Sequence, residues 1–259
     1  MSLKEKFFDM LDLYVEKKTS KKNISNILKM LLPYKTNFEL IRLGDDNDGG
    51  YLIPDDLTNI TKNYSAGIGN LTKFELDLEK LYSISSKMVD LNDVDPKLLP
   101  KKSEFKKKKI GISSYGENLS INDWLKSEKG EIILKMDIEG DEYPVLSAIT
   151  DENLNKIRIL VLEIHDLRHL RNYSFYKIFE QVFSRLNNFF YFCHLHINNV
   201  SSVKKIGGYD IPDMLEITLI KKNRVKKFSN ELAILPNKLD QKTINSKKEI
   251  LIDKKWYID

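Results

Sequence analysis

The sequence predicts an α/β fold: a mostly parallel, seven-stranded sheet with an antiparallel edge pair, preceded by an N-terminal helical extension. Two observations carry this. Short apolar runs alternate with helical patterns between about residues 63 and 186, as parallel strands joined by crossover helices require. Beyond them, Phe189 to His196 and Met214 to Lys221 are two strand-like runs with no helix between, so they pair antiparallel at one end of the sheet.

The fourth apolar run, Ile132 to Ile138 within EIILKMDIEGDEYPVL, organises the rest. Gly140 breaks it and Pro144 falls in the first turn of the following helix, where its missing N–H would be unpaired anyway. Alternation puts Lys135, Asp137 and Glu139 on one face and Leu134, Met136 and Ile138 on the other. Carboxylates at the end of such a strand stand where open α/β sheets bind ligands. Lys135, inside a buried strand, needs a carboxylate partner, for which Asp137 and Glu163 are the candidates.

The other elements follow in order. Leu3, Phe7, Met10, Leu11 and Tyr14, then Ile24, Ile27, Leu28 and Leu31, recur at helical spacing. Asp48-Gly49-Gly50-Tyr51 reads as a turn before a short strand, Tyr51 to Ile53; the neighbouring Asp45 and Asp46 lack the closing Glu of a calcium loop. Asn63 to Asn70 is a strand ending in Gly67-x-Gly69, with a helix from about Thr72 to Tyr82 behind it. Such a glycine pair lets backbone N–H groups and a helix N-terminus face a cofactor. Lys87 to Asp90 is the second strand, and Asp90 at its end suits a ribose diol, with Asn92 two residues on. Lys107 to Ser113 reads as the third strand, Ile121 to Lys126 as a short helix, Ile157 to Ile164 as the fifth strand and Ser174 to Leu186 as a long helix. Glu163 and His165 share a face at the end of the fifth strand.

Composition bounds the function. With 31% charged and 41% hydrophobic residues the chain is ordinary soluble protein. The net charge of +4 comes from dispersed lysines and only weakly favours a nucleic-acid partner over a solvated surface, so no nucleic acid is expected; the Lys101 to Lys109 cluster reads as a solvated loop and strand entry rather than a phosphate-binding patch. Cys193 stands alone, so neither an intrachain disulfide nor a CxxC site exists. No uncharged apolar run reaches membrane-span length, and a cytoplasmic location is the default expectation. The expected organisation is a helical extension over 1–38, a main domain over 39–223, and an irregular C-terminal extension packed on it over 224–259.

Five βα-type strands followed by an antiparallel pair is the pattern of Rossmann-like class I S-adenosylmethionine-dependent methyltransferases, and the chain resembles their FkbM family. The resemblance rests on Leu134-Lys135-Met136-Asp137-Ile138-Glu139-Gly140, with Asp48-Gly49-Gly50-Tyr51, Gly67-Ile68-Gly69-Asn70 and Phe74-Glu75, Leu162-Glu163-Ile164-His165 and His194-Leu195-His196-Ile197-Asn198-Asn199. It implies S-adenosylmethionine as cofactor and an O-methyltransferase acting on a sugar or nucleotide-linked sugar of a bacterial surface polysaccharide. The cofactor set is then Asp48, Tyr51, Gly67, Gly69, Asn70, Glu75, Asp90, Asn92 and Asp137, with Ser113 or Ser114 near the adenine. Asp48 and Tyr51 enter it by resemblance alone.

Methylating a hydroxyl requires its proton to leave, and His165 is the candidate base, with Asp137 or Glu139 orienting the imidazole or holding the donor's ammonium group. Glu163, His194, His196, Asn198 and Asn199 are the candidate acceptor-binding residues. A divalent metal held by His194 and His196 with Asp137 or Glu163 is the less favoured reading beside hydrogen bonds to acceptor hydroxyls. A homo-oligomer is compatible with the sequence. An oxidoreductase is disfavoured by the missing third fingerprint glycine and a nucleic-acid N-methyltransferase by the lack of any Pro-Pro pair; a catalytically silent cofactor-binding domain is the non-enzyme alternative.

Overall fold

The computed structural model describes residues 7–8, 10–12, 15–226 and 231–257. The helix expected over Leu3 to Tyr14 falls largely outside them. Helix α1 (Lys21–Leu31) starts at Ser20, whose hydroxyl accepts from Asn23 N, and buries Ile24, Ile27, Leu28 and Leu31. Strands β1 (Leu40–Leu43) and β2 (Tyr51–Pro54) form a separate antiparallel pair.

The main sheet begins with β3 (Lys62–Ala66), helix α2 (Lys73–Tyr82), β4 (Ser85–Asp90) and β5 (Glu104–Lys107). A small parallel pair, β6 (Lys109–Gly111) and β7 (Asn118–Ser120), and helix α3 (Ile121–Leu125) lead to β8 (Ile132–Met136). Helices α4 (Glu142–Ala148) and α5 (Asp151–Leu154) precede β9 (Ile157–Ile164), and helix α6 (Tyr173–Phe189) precedes β10 (Phe190–His196). A hairpin of β11 (Val203–Ile206) and β12 (Tyr209–Pro212) comes before β13 (Leu215–Lys221).

In space the seven strands run β10-β13-β9-β8-β3-β4-β5, with β13 antiparallel to both neighbours and the other pairings parallel. The chain builds outward from β3 to β5, then returns to β8 and builds the other way. That reversal between β3 and β8 opens a crevice at their carboxyl ends, the position where such sheets bind ligands.

Every residue of β9 is buried. Leu160, Leu162 and Ile164 join one core cluster, while Ile159 and Val161 join the cluster on the opposite face with Ile133 of β8. A strand buried on both sides reads as an unbroken apolar run, so β8 and β9 fall where the sequence puts them.

The third strand differs from expectation. Glu104–Lys107 pairs with β4, and the chain leaves the sheet at Lys108, whose N–H donates to Asp90 O at 2.9 Å. Only Phe105 of this strand packs on the core, so the lysine run hid the alternation. The β11–β12 hairpin was also unforeseen, although Gly207 and Gly208, with φ of 61° and 93°, supply the two left-handed positions of a tight hairpin turn.

Lys135 is paired, but with a residue on α2. Its Nζ lies 3.1 Å from Glu75 Oε1, with both side chains buried and the ammonium over the rings of Tyr51 and Phe74. Glu75, expected in the cofactor set, is fully buried and also accepts from Ser65 Oγ at 2.6 Å, so it serves the fold instead. Lys135→Met strands that carboxylate and is expected to lower stability by about 3–5 kcal/mol in urea unfolding. The double variant Lys135→Met/Glu75→Gln should recover at least half of the loss, since no buried charge is then left unpaired.

Candidate functional site

The crevice is a cavity of about 480 Å³, within the roughly 300–1,000 Å³ range of small-molecule sites. One wall is the turn after β3. Gly67, at φ 71°, is so close to the neighbouring strand that a Cβ there would sit 1.5 Å from Asp137 O. Only glycine permits that approach. The turn is held by Asp90, whose Oδ2 accepts from Ile68 N and Gly69 N at 2.9 and 2.8 Å and whose Oδ1 accepts from Asn92 N at 2.7 Å. A Cβ on Gly69 would meet open space, so this stretch of backbone faces the cavity bare.

Of the expected cofactor residues, Asp48, Tyr51, Gly67, Gly69, Asp90, Asn92 and Asp137 line the cavity, as does Glu139. Four do not. Glu75 is buried beneath, and Asn70 Oδ1 instead accepts from Asp95 N at 3.3 Å. Ser113 and Ser114 are exposed, and Ser114 Oγ is engaged with Asp123 Oδ2 at 2.6 Å and Ser120 N at 3.0 Å. The shift of the third strand explains the serines: it brings Lys108, Lys109 and Ile110 to that wall. Ile110, the first apolar residue after the lysine run, was the available signal. The two lysines are occupied locally, Lys108 Nζ donating to Gly116 O at 2.9 Å and Lys109 Nζ pairing with Asp141 at 2.5 Å.

Beside the cavity, the end of β9 carries His165, which is 8% exposed. Asp137 or Glu139 is the residue expected from the sequence to orient this ring or to hold the donor's ammonium group. The residue that orients the ring is Glu142, the first of α4, whose Oε1 lies 3.1 Å from His165 Nδ1. Glu142 is itself fixed, accepting from Ile138 N at 3.0 Å and Gly140 N at 3.1 Å. Sequence reasoning missed it because an acid in a first helical turn is ordinary. Tyr143 Oη donates to His165 O and secures the backbone from below.

The charge state follows from these neighbours. Burial alone would lower the His165 pKa, but the hydrogen bond with Glu142 and the charges of Glu142, Asp137 and Glu163 outweigh it and raise the group to about 9. These neighbours favour the imidazolium form of His165 in the free protein. Burial raises Asp137 and Glu163 as well, the charge of Asp137 adding to the effect on Glu163.

The four expected acceptor residues at and beyond the end of β10 divide. Asn198 reaches this cluster, donating from Nδ2 to Glu163 Oε1 at 3.0 Å. His194, His196 and Asn199 turn to the C-terminal segment instead, where its acids and carbonyls face them. His194 Nε2 lies 2.8 Å from Asp240 Oδ1, His196 bridges Glu216 at 3.0 Å and Glu249 at 2.9 Å, and Asn199 Nδ2 donates to Ile244 O at 2.9 Å. None of the three lines the cavity.

The strand order and a crevice framed by Gly67, Asp90 and Asp137 define a Rossmann-like class I methyltransferase fold. The family model described as "Methyltransferase FkbM domain" matches residues 50–191, and the chain belongs to that family of S-adenosylmethionine-dependent methyltransferases. Curated proteins include no match to the chain. Among solved structures it is similar to M. capricolum TrmK in complex with S-adenosyl-homocysteine (11% identity, 71% of this chain and 70% of that one, TM-score 0.36). It is also similar to the human methyltransferase 10 domain containing protein (11% identity, 78% and 81%, TM-score 0.35).

His196 gives this region a pH dependence. Burial lowers its pKa, but Glu216, Asp240 and Glu249 outweigh that and raise it from 6.5 to about 9. A group raised in the folded state stabilises fully below its unfolded pKa, and the contribution is lost as pH rises through the folded value. Thermal melts should thus show stability falling between about pH 6.5 and 9. His196→Gln should be less stable at pH 6 and lack its own share of that alkaline decline, His165 and Glu163, both also raised to about 9, supplying the rest; an identical slope in the variant would exclude His196 as a source.

Proposed function

We propose that the protein transfers a methyl group from S-adenosylmethionine to a sugar hydroxyl, with a nucleotide-linked sugar of a bacterial surface polysaccharide as the favoured acceptor. The observation that carries this reading is the junction of a donor-sized cavity with a carboxylate–imidazole cluster at Asp137. A hydroxyl is a poor nucleophile until its proton begins to leave, so a methyltransferase for oxygen needs proton-accepting groups beside the donor.

Gly67 and Gly69 would admit the donor's methionine end, Asp90 and Asn92 would hold the ribose, and Ile110 would cover the base. Asp90 can serve both the turn and a ribose, because a carboxylate has about four acceptor sites and three are used by backbone N–H groups. When bound, the donor supplies an electrophilic methyl group: a C–O bond forms, the C–S bond breaks, its electron pair stays on sulfur, and the hydroxyl proton is left to be taken up. Asp137 lines the cavity, accepts no hydrogen bond from the described residues, and lies 3.9 Å from His165 Nε2. It is the group to receive that proton, with His165 steadying its charge and Glu142 steadying the ring.

The test is mass spectrometry of nucleotide sugars incubated with the protein and isotope-labelled donor, run beside calorimetry with S-adenosylhomocysteine. One sugar should gain a methyl group. His165→Gln should reduce turnover about 10²-fold or more with product affinity unchanged, whereas Asp90→Ala should weaken that affinity at least tenfold. Methylation confined to non-hydroxyl acceptors, or full turnover by His165→Gln, would overturn the reading.

A further inference from the structure

The cluster around His165 has an unfilled centre. His165 Nε2 faces Asp137 Oδ1 at 3.9 Å, Glu139 Oε2 at 3.7 Å and Glu163 Oε1 at 3.9 Å. These separations are too long for hydrogen bonds, so Nε2 of a ring that is nine-tenths buried has no hydrogen-bond partner among the described residues. Asp137 offers its carboxylate equally unpartnered, and buried Glu163 takes one hydrogen bond, from Asn198. The opposite ring nitrogen is fixed by Glu142, so Nε2 is aimed rather than free to turn.

An imidazole held by a carboxylate on one nitrogen, with the other directed at further carboxylates, is the arrangement of a metal-binding histidine with its outer partner. Bonds of about 2.0–2.2 Å to nitrogen and oxygen set donors around one ion roughly 3–4 Å apart. The separations from Nε2 fall at the upper end of that range, and around the same ring it is Asp137, Glu142 and His165 whose ligand atoms all lie within 4.8 Å of one another. The donors come from both sides of the crevice, the turn after β8 and the end of β9, so one ion would join them.

We propose that His165 Nε2, Asp137 and Glu163 bind one divalent cation, with exposed Glu139 as a further ligand and Glu142 as the positioning residue. Three carboxylates with one imidazole suit a carboxylate-preferring ion such as Mn²⁺ or Mg²⁺. Its place beside the donor cavity suits a Lewis acid that takes up an acceptor hydroxyl and eases release of its proton. In this it deepens, and rests on, the methyl-transfer reading above.

The probe is Mn²⁺, titrated into the full chain with calorimetric and electron paramagnetic resonance detection, with and without S-adenosylhomocysteine. One site per chain is expected, weakened at least tenfold by His165→Gln or Glu163→Gln and about 10- to 100-fold by Glu142→Gln. Retained S-adenosylhomocysteine binding by Glu163→Gln, a residue outside the cavity lining, shows that the variant is folded. Absence of a Mn²⁺ site in both states, or a site equally strong in Glu163→Gln and His165→Gln, overturns the cation. Full methyl transfer in excess chelator also removes it while leaving methyl transfer intact. Mn²⁺ binding without S-adenosylhomocysteine binding or methylation of any acceptor instead sinks the methyl-transfer reading.

Discussion

Two backbones touch where the sheet reverses direction, and the site depends on that contact. Asp137 N donates to Ala66 O at 3.0 Å, and Gly67 lies against the Asp137 carbonyl with no room for a side chain. The turn after β3 and the turn after β8 are thereby locked as one wall. Asp90 braces the first from the neighbouring strand, and Glu142 braces the second through Ile138 and Gly140. Acids that hold loops by accepting backbone N–H groups are thus part of the scaffold as well as of the site. The same residues that shape the cavity set the direction in which His165 points.

Charge is the second constraint. Glu142 and Glu163 are buried around His165, and Asp137 is buried enough to lose much of its hydration, with Glu139 reaching in from solvent. One imidazole cannot neutralise so many carboxylates, so the cluster is suited to a positive guest. A methyl donor with a sulfonium and an ammonium group meets that demand from the cavity side. The buried Lys135 adds its charge to that side of Asp137, but its one carboxylate contact among the described residues is with Glu75.

Much of this was legible because the central strands are buried on both faces. Ile157–Ile164 reads as a strand from its unbroken β-branched run, and Gly67, Asp90, Asp137 and His165 stand at strand ends that any such sheet brings to one rim. What escaped was set by contacts distant in sequence or by chemistry with no pattern. His196 finds Glu249 53 residues away, in a segment without regular strands or long helices, so nothing local distinguished a buried clasp from an acceptor-binding pair. The partner of Lys135 sits 60 residues earlier on α2, and strand alternation pointed to nearer carboxylates. The third strand carries only one core residue, which left its register, and hence the wall near Ile110, open.

The most direct measurement is a crystal structure with S-adenosylhomocysteine bound. The product should lie along the crevice with its ribose at Asp90, its amino acid end against Gly67, and its sulfur directed toward the Asp137–His165 side. Product bound elsewhere, or with its sulfur turned away from that cluster toward β5, would contradict the assignment of this crevice as the site of methyl transfer.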